Sequence, residues 1–340
     1  MKKLKYLFVF ILPLGVYLAF NRDGWGTFSP IIFTFVLIPF VEVFLKPNHK
    51  NFDQETMLME KNSRFYDWIL YFSVPIQILM LSSFLFVMDL TPIFSISYFG
   101  KIFSMGLLCG VLGINIGHEL GHRSSKWDQF LGEILLLTSL NTHFLPYHNE
   151  GHHREVATPY DAATAKKDQS LFSFWITSHF GSYVKAWKIE NNRLKTNGVN
   201  PFSFNNRMFV GYCRSLLITI LAFLIGGWIG VLYFLICALL AKSFLETINY
   251  VEHYGLVREK GKRIQMRHSW NSNHVVGRLV LYELTRHSDH HFISSKKYQV
   301  LESIDESPQL PYGYPTSILL SMVPPLWFRI MNPRVESFQN

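Results

Sequence analysis

The chain has 340 residues, 49% hydrophobic and 16% charged, and its 32 Lys+Arg against 24 Asp+Glu give a formal charge of +8. So few charges among so many apolar residues exclude a disordered chain. Three scattered cysteines without a C-x-x-C pair exclude a disulfide framework and a four-cysteine metal site. A mean hydropathy of +0.15 lies between a fully embedded bundle and a soluble enzyme, so it averages over unlike segments.

In chain order, near-uninterrupted apolar runs lie at 6–20, 28–45, 68–90, 102–117, 215–229 and 231–248. Several approach the roughly 20 residues needed to cross a hydrocarbon core of about 30 Å, and flanking Tyr, Trp and Lys complete the shorter ones. Asn21-Arg22-Asp23 follows the first run with no small-x-small cleavage site, so that run reads as a retained anchor and not a signal peptide. The pattern predicts an all-α integral membrane protein of about six transmembrane helices, built as one membrane-embedded domain over 1–340.

Positive charge sets the expected orientation. Lys2, Lys3 and Lys5 place the N-terminus in the cytoplasm, and Lys46, Lys50, Lys61 and Arg64 return the second connection there. The connection at 88–95 has no Lys or Arg and faces outward, as does the turn Gly226-Gly227-Trp228-Ile229-Gly230. Segments 118–209 and 250–340 then share the cytoplasmic side, the C-terminus included. Within the first, 131–145 is apolar but too short for a comfortable span and reads as a re-entrant or interfacial helix.

Those two segments hold every histidine except His49. Four clusters stand out: His118-Glu-Leu-Gly-His122, His148-Asn-Glu-Gly-His152-His153, the lone His253, and His287-Ser-Asp-His290-His291. A separation of four places His118 and His122 on one helix face. Neutral imidazole ligates Zn, Cu, Fe and Ni, and one zinc site takes three or four protein ligands. Nine converging imidazoles therefore point to two metal ions with four or five nitrogens each. His118–His122 is also an H-E-x-x-H, the zinc-protease pattern in which Glu119 acts as general base, but that reading leaves seven histidines idle. Glu-x-x-His pairs at Glu119/His122 and Glu150/His153 fit the carboxylate di-iron motif, which again leaves most histidines unused. Glu119, Glu150, Glu252 and Asp289 are better placed as acceptors of ring N–H bonds that orient the ligands. A metal transporter needs ionisable groups in mid-membrane, and these runs carry almost none.

HELGH, HNEGHH, NYVEHYG and LTRHSDHH, in this order, resemble the histidine boxes of the membrane alkane 1-monooxygenases, within the histidine-box membrane di-iron group that includes xylene monooxygenases and fatty-acid desaturases. Val156-Ala-Thr-Pro159 with Asp161, Ser269-Trp-Asn-Ser-Asn-His274, and the stretches 308–315 and 324–333 also match. The resemblance implies that His118, His122, His148, His152, His153, His253, His287, His290 and His291 hold two Fe ions, with Asp161 added to the outer partners. It implies O₂-dependent conversion of an alkane to a 1-alkanol, with electrons from a rubredoxin and its NAD(P)H-linked reductase. No rubredoxin-like cysteine pair occurs in this chain, so the carrier is expected to be a separate protein. Related chemistry on alkyl-aromatics or fatty acyl chains is the alternative.

The chain departs from the family pattern at Tyr147 for Glu, Thr285 for Gln, Phe292 for Ala and Arg123 for Lys, none of them a proposed ligand. The charge of +8 suits anchoring on anionic lipid and docking of an acidic electron carrier. No fold signature accompanies it that would suggest nucleic acid. The runs 28–45, 68–90 and 102–117 are the expected walls of an apolar substrate channel, with Phe35, Phe72 and Phe86 on them as residues that set its length.

Overall fold

The computed structural model describes residues 2–339, which are helical with no named strand; one isolated bridge joins Asn271 and Gln309. Among the described residues, five stretches are long and apolar enough to cross a membrane: Lys3–Phe20, Gly24–Phe44, Gln54–Asp89, Ile96–Gly121 and Arg207–His253. The last holds both C-terminal apolar runs. Its 47 residues would extend about 70 Å as one straight helix. It does not run straight, because Gly227 takes φ 60° and ψ −156°. A Cβ on Gly230 would lie 3.0 Å from the carbonyl oxygen of Ala222, whereas residues eight apart in a continuous helix are separated by about 12 Å. The chain reverses at the glycine turn, and the Phe223 and Trp228 rings pack across it at 5.0 Å.

The chain forms two compact units. One comprises residues up to Val36 with Arg64–Phe144 and Glu190–Phe244; the other comprises Leu37–Ser63, Leu145–Ile189 and Leu245–Asn340. In the first, helices approach closely where side chains are absent. A Cβ on Gly132 would lie 2.8 Å from the Gly117 carbonyl oxygen, and one on Gly106 would lie 2.9 Å from Leu240 Cβ. Helix Ile96–Leu108 starts where the Ser95 hydroxyl accepts from the Tyr98 amide at 3.1 Å, the usual N-cap bond. It continues through a π-helical turn, Cys109–Asn115, into Ile116–Gly121. Beside that turn the buried Gln77 donates to Thr138 Oγ1 and Cys109 Sγ, so the amide sits in a polar niche inside apolar helices.

The apolar stretch 131–145 is not one helix: its first part belongs to helix Lys126–Leu137, capped by Ser125 and about 18 Å long, too short to cross a bilayer, and turns separate that helix from the next, Phe144–Tyr147. Trp127 and Phe130 on it are exposed. Two of the candidate channel walls are not interior. Phe72 and Phe86 are 58% and 60% exposed, because the buried stripe of helix Arg64–Asp89 runs through Leu70, Val74, Gln77, Leu81 and Phe84. Phe35 instead stacks on Phe244 at 6.0 Å.

The second unit is irregular between its helices, and buried arginines satisfy its loops. Arg258 donates to the carbonyls of Val156, Arg154 and Lys262. Arg286 donates to those of Leu301 and Lys50, and Arg278 to Asn48. Five N–H donors in a rigid fork suit arginine to this task. Beneath the loops an aromatic core of Tyr250, Tyr254, Trp270 and Trp327 seats the end of helix Arg207–His253, which places His253.

Candidate metal centre

Within the second unit four histidines converge. His152 sits on a π-helical turn, His148–His152, and His253 ends its long helix. His287 and His291 lie four apart on helix His287–Phe292 and so share one face. One ring nitrogen from each falls within 4.8 Å of the others, and all four side chains are buried. His287 Nε2 lies 3.2 Å from His253 Nε2 and 2.9 Å from His291 Nε2. Adjacent ligands at right angles around a metal with bonds of about 2.1 Å are about 3.0 Å apart, so these spacings match a coordination sphere. His152 Nε2 is buried without a hydrogen-bond partner. Burial and the neighbouring imidazoles of His153 and His287 push His291 well below the ordinary histidine value, keeping it neutral with its lone pair available. The four-histidine group fits a metal ion.

A second set lies in the same unit. His153 Nε2 is 3.0 Å from His148 Nε2, and the His153 and His290 rings are 5.0 Å apart. In the first unit, His118 Nε2 and His122 Nε2 approach to 3.0 Å at the end of the helix that follows the π turn. These two π turns precede or contain candidate histidines, a common association, while a third, Phe33–Leu37, does not.

The candidate carboxylates separate into distinct environments. Asp161 accepts from His152 Nδ1 at 2.8 Å, from Tyr147 Oη at 2.5 Å and from Thr164 Oγ1 at 2.7 Å. Burial alone would raise its pKa, but His152, Thr164 and Tyr147 together hold it at about 2. Burial and Asp161 drive the Tyr147 phenol well above its usual value, so it remains a donor. A carboxylate on Nδ1 leaves Nε2 of His152 available to a metal, the orientation typical of carboxylate–histidine–metal units. Glu252 Oε2 lies 3.1 Å from His287 Nε2, and its Oε1 accepts from Tyr314 Oη at 2.8 Å.

Glu119 Oε1 accepts from Arg123 Nε and Nη2 at 3.0 and 2.7 Å, and Arg123 also reaches Asp67 at 2.9 Å. That ion pair occupies the carboxylate a protease would use as its base. Asp289 accepts from Lys296 Nζ and the Glu302 amide, each at 2.7 Å, and Glu150 is half-buried. Tyr147, Thr164 and Tyr314, which hold the two histidine-contacting carboxylates, were not foreseen in these roles. Tyr147 carried one signal, its departure from the family pattern, and Thr164 and Tyr314 carried none.

Comparison with known proteins agrees with this geometry. A family model described as fatty acid desaturase matches residues 95–319. Alkane 1-monooxygenase 2 of Alcanivorax borkumensis is 34% identical, covering 99% of this chain and 92% of that protein. Alkane 1-monooxygenase 1 of Pseudomonas aeruginosa is 34% identical over 98% of this chain and 91% of its own length. The xylene/toluene monooxygenase hydroxylase component of Pseudomonas putida is 31% identical over 68% of this chain and 63% of its own.

Proposed function

Because the chain belongs to the alkane 1-monooxygenase family, we propose that it hydroxylates the terminal carbon of alkanes to 1-alkanols with O₂. The observation that carries this reading is the convergence of four buried histidines, their nitrogens at ligand-to-ligand spacing, in an all-helical chain with membrane-spanning segments. We propose that His118, His122, His148, His152, His153, His253, His287, His290 and His291 hold two irons, with His152, His253, His287 and His291 on one of them. When bound, the iron pair supplies O₂ activation and the oxidising power needed for an unactivated C–H bond.

The chain's own residues do the rest. Asp161 accepts the Nδ1 proton of His152 and fixes its tautomer, while Tyr147 and Thr164 hold Asp161 in place. Arg123 neutralises Glu119 beside His118 and His122. Burial of the four-histidine group, from 0% to 4% exposed, keeps bulk water from the reacting centre. The apolar helices admit a hydrocarbon from the bilayer. Electrons come from a separate rubredoxin and its reductase, the chain's charge of +8 suiting an acidic carrier, and the N-terminus, C-terminus and iron site face the cytoplasm, in a bacterium from the inner membrane.

Purified protein with a rubredoxin system, given alkanes of graded length, is expected to yield 1-alkanols and to contain about two irons per chain. One zinc with no iron, or no oxygenated product from any alkane, refutes the reading. The xylene/toluene relative makes alkyl-aromatics the second substrate class for the same assay.

A further inference from the structure

We infer that helix Leu171–Thr196 lies along the membrane surface, with a stripe of exposed apolar side chains set into the lipid. Phe172, Ile176, Phe180, Tyr183 and Val184 are all exposed, Ile176 at 64% and Phe180 at 72%. Residues three and four apart share one face of a helix, so these five form a single apolar stripe. The buried face, made of Leu171, Phe174, Ser178, Ser182 and Ala186, is the less apolar of the two. A helix that turns its outer face to water shows the reverse pattern.

An exposed apolar patch marks an interface, and the occupant this one fits is the bilayer. The helix is not among the five stretches apolar enough to cross a membrane. A helix with an apolar stripe and basic residues beside it rests instead in the interface plane, reaching about 5–10 Å into the boundary between headgroups and acyl chains. Lys188 and Lys195 are exposed. The one acidic residue, Glu190, is buried and held by Arg193 and Arg207. The exposed charge is therefore positive and suits anionic headgroups. After the helix the chain enters the spanning stretch Arg207–His253, and the connection on the way exposes Phe202 and Phe204 as well.

The helix is also tied to the segment that carries His253. Trp175 Nε1 donates to Thr247 Oγ1 at 3.0 Å, the Ser178 hydroxyl donates to Glu246, and the Phe174 and Tyr250 rings lie 5.5 Å apart. Those partners occupy about the last two turns of the helix that ends at His253. A lipid-seated helix so attached sets the depth of His253 relative to the bilayer from which a hydrocarbon would arrive. The inference itself depends on neither the substrate nor the metal.

The test uses the full-length protein in nanodiscs of phosphatidylethanolamine and phosphatidylglycerol. The exposed Cys213 is changed to Ser, while Cys109 and Cys237 are buried. Single nitroxide labels are then placed through Ile176→Cys, Phe180→Cys and Asn192→Cys, the last at an exposed position outside the stripe. Electron spin resonance compares collisions with O₂, which concentrates in lipid, and with a water-soluble nickel complex. The ratio of oxygen to nickel collisions at positions 176 and 180 is expected to exceed that at 192. Equal ratios place the stripe in water and overturn the inference. Protection of 176 and 180 from both reagents reveals a protein partner or a second copy on the stripe and overturns it too. If the labelled variants do not fold, the unmodified protein is reconstituted with a lipid bearing a photoreactive group on its acyl chain. Adducts on the peptide spanning 172–184 are then required, and their absence overturns the inference.

Discussion

The two units solve burial in different ways. The first is made of long apolar helices whose backbones meet at glycines, so its stability depends on shape: Gly117, Gly132 and Gly106 each leave no space for a side chain. The second carries short elements and long loops, and there three arginines satisfy carbonyls that helices would otherwise have paired. The contrast has a functional reason. Ligands from distant positions reach one point only if the chain turns often, and each turn exposes backbone groups that need partners.

The largest expected effect breaks the second unit's polar centre. His291→Ala removes the nitrogen nearest to His287 Nε2 and is expected to abolish metal at the four-histidine group and all turnover; elemental analysis showing a full complement would contradict the assignment. Arg286→Met comes next, leaving the Leu301 and Lys50 carbonyls without their donor. About 1–3 kcal/mol of stability should be lost for each buried acceptor left unsatisfied, measured by thermal unfolding, with no comparable loss for exposed Arg329→Met. In the first unit, Gly132→Ala drives a Cβ to 2.8 Å from a backbone oxygen and should cost about 1–3 kcal/mol by overpacking. Unchanged melting would show that those helices slide apart freely.

The smallest effect is pH dependence, and it separates the units by range. In the second, burial with Arg258 and Arg267 lowers His268 to about 4, and burial lowers His274. Below about pH 6.5 the unfolded chain takes up protons that these histidines refuse, so stability falls as pH drops from there toward 4. In the first, Glu190 would be raised by burial, but Arg193 and Arg207 hold it at about 2. Its contribution is complete above about pH 4.5 and disappears only as pH falls toward 2. Hydrogen exchange resolved by segment should therefore show the second unit losing protection first, and Glu190→Gln should remove the lower step alone. Simultaneous loss in both units at one pH would remove the distinction.

Much of the fold was legible because its cause is local. Apolar runs announce membrane helices at whatever depth they pack, and the Gly226-Gly227 turn was readable since φ above zero suits glycine. Histidines four apart announced shared faces. The channel walls were not legible: Phe72 and Phe86 have the same hydropathy as buried Phe84, and only the packing of their helix tells them apart.

The sequence by itself determined the helical class, the family, the glycine hairpin and the histidines worth attention, because each depends on residue type and short spacing. The tertiary structure alone decided which carboxylate meets which histidine. Glu119, Glu252, Asp289 and Asp161 are equally acidic on paper, yet one is taken by Arg123, one by Lys296, one supports His152 at Nδ1, and one contacts His287 Nε2. Those partners come from far along the chain, and the direction a carboxylate points is set by what packs behind it, as Tyr314 does behind Glu252.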